Sequence, residues 1–169
     1  MLDNKKLLIK LIQIVYLIFF SIFLFQHDLI EYNYTGLLNS NVRSTALLLC
    51  FIGGVLCIYS LYVLLSRLHI KHTYLQLFLL SILMLLTTLL PYKETNSLSS
   101  QLHLLSGLIT FLYLHRILLQ LASLNKNVTY FYLSTLFLCM LVTITFQSIT
   151  GMTEWLFVCG YIISLVMIV

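Results

Sequence analysis

Five ionisable residues of this chain sit where apolar segments begin or end: His27, Asp28, Glu31, His103 and Glu154. Gly107 lies one helical turn beyond His103. Imidazole beside carboxylate is the material of a zinc site or of a general acid–base pair. The spacing contains no H-E-x-x-H and no paired ligand unit, so no metal is expected and no catalytic residue is assigned. His103 has two readings. An interhelical hydrogen bond is the ordinary one. Binding or catalysis is the sharper one, because ionisable groups facing the inside of a membrane bundle carry function more often than others. Glu154 opens a helix, where the helix dipole favours a carboxylate, so capping and interfacial solvation account for it without a site.

The remaining polar chemistry is quickly bounded. His69 and His72 belong to a basic turn, and His115 stands beside Arg116, so all three read as solvated or facing lipid headgroups. A haem between helices needs histidines at matching depth on different spans, but His103 and His115 share one helix at opposite depths. Cys50, Cys57, Cys139 and Cys159 lie within apolar runs without a C-x-x-C pair, and buried cysteine behaves as a small apolar residue. No Ser-His-Asp order, Gly-rich phosphate loop or Cys–His nucleophile is present. No cofactor is expected. Basic patches interleaved with aromatics on a soluble face are absent, so nucleic acid is not an expected partner.

The elements that must position these residues are membrane spans. Of 169 residues, 61% are apolar and only 8% charged, far outside the soluble range. Six apolar segments can be read, at about 7–25, 45–65, 74–90, 97–116, 128–146 and 152–169, and the fourth has apolar residues as far as Leu124. Each approaches the ~20 residues a helix needs to cross the hydrocarbon. The runs are continuous rather than alternating, which excludes a β-barrel. The expected fold is an all-α integral membrane bundle of six transmembrane helices in a single domain, residues 1–169. The stretch after Phe25 has no small-residue cleavage pattern, so an uncleaved first span is expected.

Orientation follows from the basic residues. With both termini cytoplasmic, Lys5, Lys6, Lys10, Arg67, Lys71, Arg116 and Lys126 fall inside, and only Arg43 and Lys93 fall outside. Asp28, Glu31, Glu94 and Glu154 then lie outside. The net charge of +4 is thus a topology signal. The connections are short, and only residues 26–44, on the outer side, could cover a surface.

Packing faces can also be read. His103, Ser106, Gly107 and Thr110 share one helical stripe, with Leu105, Ile109, Leu112 and Arg116 opposite. Lipid provides no hydrophobic drive for helix association, so small and polar residues mark the packed face. The His103 stripe should face protein, the Leu105 stripe lipid, and Arg116 should snorkel at the cytoplasmic edge. Ala46, Cys50, Gly53, Gly54, Cys57 and Ser60 form a small-residue stripe suited to close helix packing, and Thr135, Cys139 and Thr143 a weaker one. Their hydroxyls are expected to bond their own helix backbones.

Leu90-Pro91, a short loop, His103 with Gly107, and a last helix opening Gly151-Met152-Thr153-Glu154-Trp155 together resemble a family. It comprises small bacterial membrane proteins of unknown function related to the damage-regulated autophagy modulator group. The resemblance covers roughly residues 45–169 and implies a six-helix bundle in the bacterial cytoplasmic membrane. The family often continues Glu-Arg where this chain has Glu154-Trp155. The leading functional expectation is a non-enzymatic protein that binds membrane lipid or another membrane protein through His27, Asp28, Glu31, His103, Gly107 and Glu154. Two alternatives stay open: a substrate-binding membrane subunit of a small-molecule importer, and a lipid-modifying enzyme using His103 with Glu154 or Asp28.

Overall fold

The computed structural model describes the chain except residues 1, 32, 39, 69–71, 91–97, 123–124 and 169. The predicted turns at 67–73 and 91–96, including His69, Lys71, Pro91, Lys93 and Glu94, therefore lie wholly or partly outside the described residues. What is described is helical, without a strand. In order come α1 (Leu2–Phe25), the short α2 (Tyr34–Leu37), α3 (Arg43–Arg67), α4 (Thr73–Leu89), α5 (Leu98–Ala122), α6 (Lys126–Phe146) and α7 (Gly151–Ile168). The six long helices fall on the six apolar segments of the sequence.

Five of them, α1, α3, α5, α6 and α7, are long and apolar enough to cross a membrane. The chain is therefore read as a multi-pass membrane protein. The helix α4 is apolar but has only 17 residues, about 26 Å at 1.5 Å per residue. Two helices run past the segments that announce them. α5 continues beyond Arg116 because Ile117, Leu118 and Leu121 are buried and reward the extra turns. α1 begins at Leu2, ahead of the apolar run that starts at Leu7.

Chain contacts divide the molecule into two compact units: Met1–Leu37 with Ala122–Val169, and Leu38–Leu121. In the first unit, α7 packs antiparallel on both α6 and α1. The α6–α7 contact is very close. A Cβ added at Gly160 would lie 2.8 Å from Thr135 Cβ and closer still to its Cγ2, so only hydrogen fits there. Thr135 turns its hydroxyl back to the Phe131 carbonyl at 3.0 Å, which leaves its methyl for this contact.

In the second unit α3 packs on α4 through the predicted small-residue stripe. Ala46, Cys57 and Ser60 are buried. A Cβ at Gly54 would stand 3.6 Å from the Met84 methyl. The Cys50 sulfur lies 3.3 Å from the Thr88 hydroxyl. Ser60, Ser81 and Thr88 donate to the carbonyls of Leu56, Leu77 and Met84, each four residues back. The opposite face of α3, with Leu48, Phe51 and Val55, is exposed, as a lipid-facing surface must be.

Two glycines give opposite expectations. Gly160→Ala should destabilise the protein by about 1–3 kcal/mol through overpacking, with part recovered by adding Thr135→Ala. Gly107→Ala, whose Cβ would meet Thr87 Cγ2 at an ordinary 3.5 Å, should leave stability unchanged or raise it. Unfolding in mixed micelles on titration with a denaturing detergent separates the two.

Candidate functional site

The predicted site residues divide between the two units. His103 and Gly107 belong to the second; His27, Asp28, Glu31 and Glu154 belong to the first.

In the second unit the geometry starts at Pro91. A residue preceding proline is pushed out of the helical region. Leu90 accordingly adopts φ −71° and ψ 121°, and α4 stops there. The Leu90 carbonyl thus loses its place in the helical ladder. His103 Nδ1 lies 2.9 Å from it, and since a carbonyl only accepts, Nδ1 carries the proton. His103 is 8% exposed, and Ser106 beside it on the stripe is buried too. Leu105 and Leu112 on the opposite face are more than half exposed. Below His103, Thr87 Oγ1 stands 3.3 Å from both Ser106 Oγ and Thr110 Oγ1. Each of these hydroxyls also bonds a carbonyl of its own helix. Gly107 lies beside this cluster, and a Cβ there would stand 3.5 Å from Thr87 Cγ2. The seam between α4 and α5 is therefore polar and tied at one end by an imidazole.

In the first unit the segment after α1 is held down rather than loose. Asp28 Oδ1 accepts the backbone N–H groups of Ile30 and Glu31 at 2.8 and 3.2 Å, forming a tight turn. Leu29 is buried, and its carbonyl accepts from Met152 N–H at 3.1 Å. Asn33 accepts the Gly36 N–H at 2.7 Å, capping α2, and donates to the Ile149 carbonyl at 3.4 Å. This places the His27–Glu31 turn against the start of α7. His27 rests edge-on against Phe23, with ring centroids 5.3 Å apart. Asp28 and Glu31 are exposed, and Glu154 is half-buried. Thr150 caps α7 by accepting the Thr153 N–H at 3.4 Å, and the hydroxyls of Thr143 and Thr150 both lie near that of Thr153. Among the described residues, no three histidine, cysteine or carboxylate side chains gather as a metal-binding group.

A concavity in this unit involves residues that composition and spacing did not mark. A groove of about 710 Å³ opens along α1 and α7. Leu17, Ile18, Ile22 and Phe25 line it from α1, and Trp155, Cys159 and Ile163 from α7. Its polar members are Ser21 and Gln26. Trp155 Nε1 donates to Ser21 Oγ at 2.9 Å, and the indole meets Phe25 edge-on at 5.3 Å. A signal for this pairing does exist in the sequence. Trp155 is the single tryptophan, and Ser21 is the one serine or threonine in its run. A tryptophan in hydrocarbon needs an acceptor for its N–H.

The chain matches no family model, no curated protein and no solved structure.

The Leu90–His103 contact gives a direct test. His103→Ala should cost about 0.6–1.7 kcal/mol, the range of interhelical hydrogen bonds in membranes. His103→Asn, whose amide nitrogen can reach the Nδ1 position, should retain most of that stability. Equal losses in the two variants, measured by detergent titration, would show that the bond to Leu90 is not what the imidazole supplies.

Proposed function

We propose that this is a six-span protein of a bacterial cytoplasmic membrane, with both termini cytoplasmic, and that it binds a membrane lipid without transforming it. The observation that carries the reading is the groove between α1 and α7. Its volume falls within the ~300–1,000 Å³ typical of small-molecule sites. Its walls are apolar and belong to helices long enough to cross the bilayer. It runs from Leu17 to Gln26, about 13 Å at 1.5 Å per residue, and ends where α1 does. A hydrocarbon chain entering beside Gln26 would have apolar contact along that whole depth.

The sixth span is α4, whose short length local thinning of the bilayer accommodates. The orientation rests on the distribution of lysine and arginine. The bacterial assignment rests on the resemblance carried by Leu90-Pro91, His103 and Gly151 to Glu154. An enzymatic reading would need His103 as an acid or base. Its Nδ1 proton is already committed to the Leu90 carbonyl, and Asp28 Oδ1 to two backbone amides. Both contacts fix backbone, and neither bears on the Nε2 that an enzymatic role would use. A partner membrane protein seated in the same groove is the neighbouring alternative.

Two experiments test this. In nanodiscs, a phospholipid carrying a photoreactive acyl chain should label peptides 17–26 and 155–163 several-fold above other lipid-facing segments. Cys159→Trp, which fills the groove, should abolish that excess. Even labelling of every helix would sink the proposal. For topology, Asp28→Cys and Glu154→Cys should react with an impermeant maleimide added outside intact cells, whereas Lys126→Cys should react only after lysis.

A further inference from the structure

Resting on the lipid-binding reading of the α1–α7 groove, we infer that its occupant is an ester-linked lipid, held by a hydrogen bond from the Ser21 hydroxyl to an acyl carbonyl. An indole N–H only donates, so in the 2.9 Å contact with Trp155 Nε1 the Ser21 oxygen accepts and keeps its own hydrogen. Ser60, Ser81, Thr87, Thr88, Thr110, Thr135 and Thr143 direct that hydrogen to the carbonyl four residues back. Ser21, turned toward α7, makes no such bond to Leu17, and among the described residues its hydrogen meets no acceptor. Ser21 also lines the groove. A donor in an apolar wall carries a cost until an acceptor arrives, and hydrocarbon offers none.

The occupant must therefore combine a hydrocarbon chain with an acceptor, and the depth of Ser21 indicates which. Ser21 stands four residues inside the end of α1 at Phe25, about 6 Å. The polar interfacial layer of a bilayer is about 5–7 Å deep on each side, and the ester groups of a glycerolipid lie at its base. Trp155, bonded to Ser21, belongs to the same level, where tryptophans collect. A carbonyl held by Ser21 leaves the acyl chain to run along Leu17, Ile18 and Ile163, and the headgroup to leave past Gln26. None of the described lining residues is charged, so the acceptor they suit is neutral. A transmembrane helix of another protein suits the groove less well, because its mid-span carbonyls are already bonded within the helix. An ether lipid has the chain without the carbonyl. One hydrogen bond corresponds to roughly a fivefold preference for the ester over the ether linkage.

The test uses the full chain in nanodiscs, with a diester phospholipid carrying a photoreactive acyl chain as a trace probe. The bulk lipid is either diester or diether phosphatidylcholine of equal chain length, so only the linkage differs. Diether lipid should compete poorly for the groove. Labelling of peptides 17–26 and 155–163, relative to other lipid-facing segments, should then be roughly fivefold stronger in diether than in diester bulk. Ser21→Ala with Trp155→Phe should remove that difference while the labelling excess itself persists. Replacing both partners of the bond at once leaves neither a donor nor an acceptor orphaned, so the double variant is expected to fold. Equal labelling in the two bulk lipids with the unsubstituted chain, or a difference that survives in the double variant, overturns the ester inference and leaves the groove reading intact. Labelling of these peptides in the unsubstituted chain no stronger than of other segments, in either bulk lipid, overturns the groove reading itself.

Discussion

Hydrocarbon offers no hydrogen bonds, and this one fact arranges nearly every polar atom described in the chain. Backbone groups in the spans are satisfied by helices, and side-chain hydroxyls return to their own helices: Ser60, Ser81, Thr87, Thr88, Thr110, Thr135 and Thr143 each donate to the carbonyl four residues back. The places where this local solution fails are the informative ones. Pro91 strips the Leu90 carbonyl of helical company, and the imidazole of His103 reaches it from α5. The indole of Trp155 has no acceptor in its own helix, and Ser21 provides one from α1. Both bonds tie one helix to another, because in lipid a leftover donor or acceptor finds its partner on a neighbour.

Close packing is the second consequence. Without a hydrophobic force between helices, dispersion contacts must be dense, and density requires small residues at the crossing points. Gly160 against Thr135 is the tightest such point, and Gly54 against Met84 and Gly107 against Thr87 are looser. A looser contact brings backbones near without making the glycine obligatory. The groove of the first unit is the counterpart. Phe25 and Trp155 meet edge-on between α1 and α7, and both line the apolar space there. A groove of this kind in water would be an aggregation hazard. In a bilayer its apolar walls carry no such cost.

The stripe on α5 shows how far residue spacing reaches. His103 and Ser106 are buried while Leu105, Ile109 and Leu112 are exposed, because a 3.6-residue period alone decides which side chains share a face. The backbonded hydroxyls were legible for the same local reason. The helical segments were legible from apolar run length, since a span's length is dictated by bilayer thickness. The short α2 was not, because four residues carry too little pattern; its formation depends on the Asn33 cap and on burial of Leu37.

By itself, then, the sequence determined that the chain is helical, that its long segments suit a membrane, and which face of each helix is small or polar. Those properties depend on neighbours within a few residues. Tertiary structure alone decided that His103 pairs with Leu90 and that Trp155 pairs with Ser21, 134 positions away. It alone opened a groove between the first and last helices. Partner choice between distant helices depends on which surfaces interlock, and one face of small residues looks much like another until the backbones are set side by side.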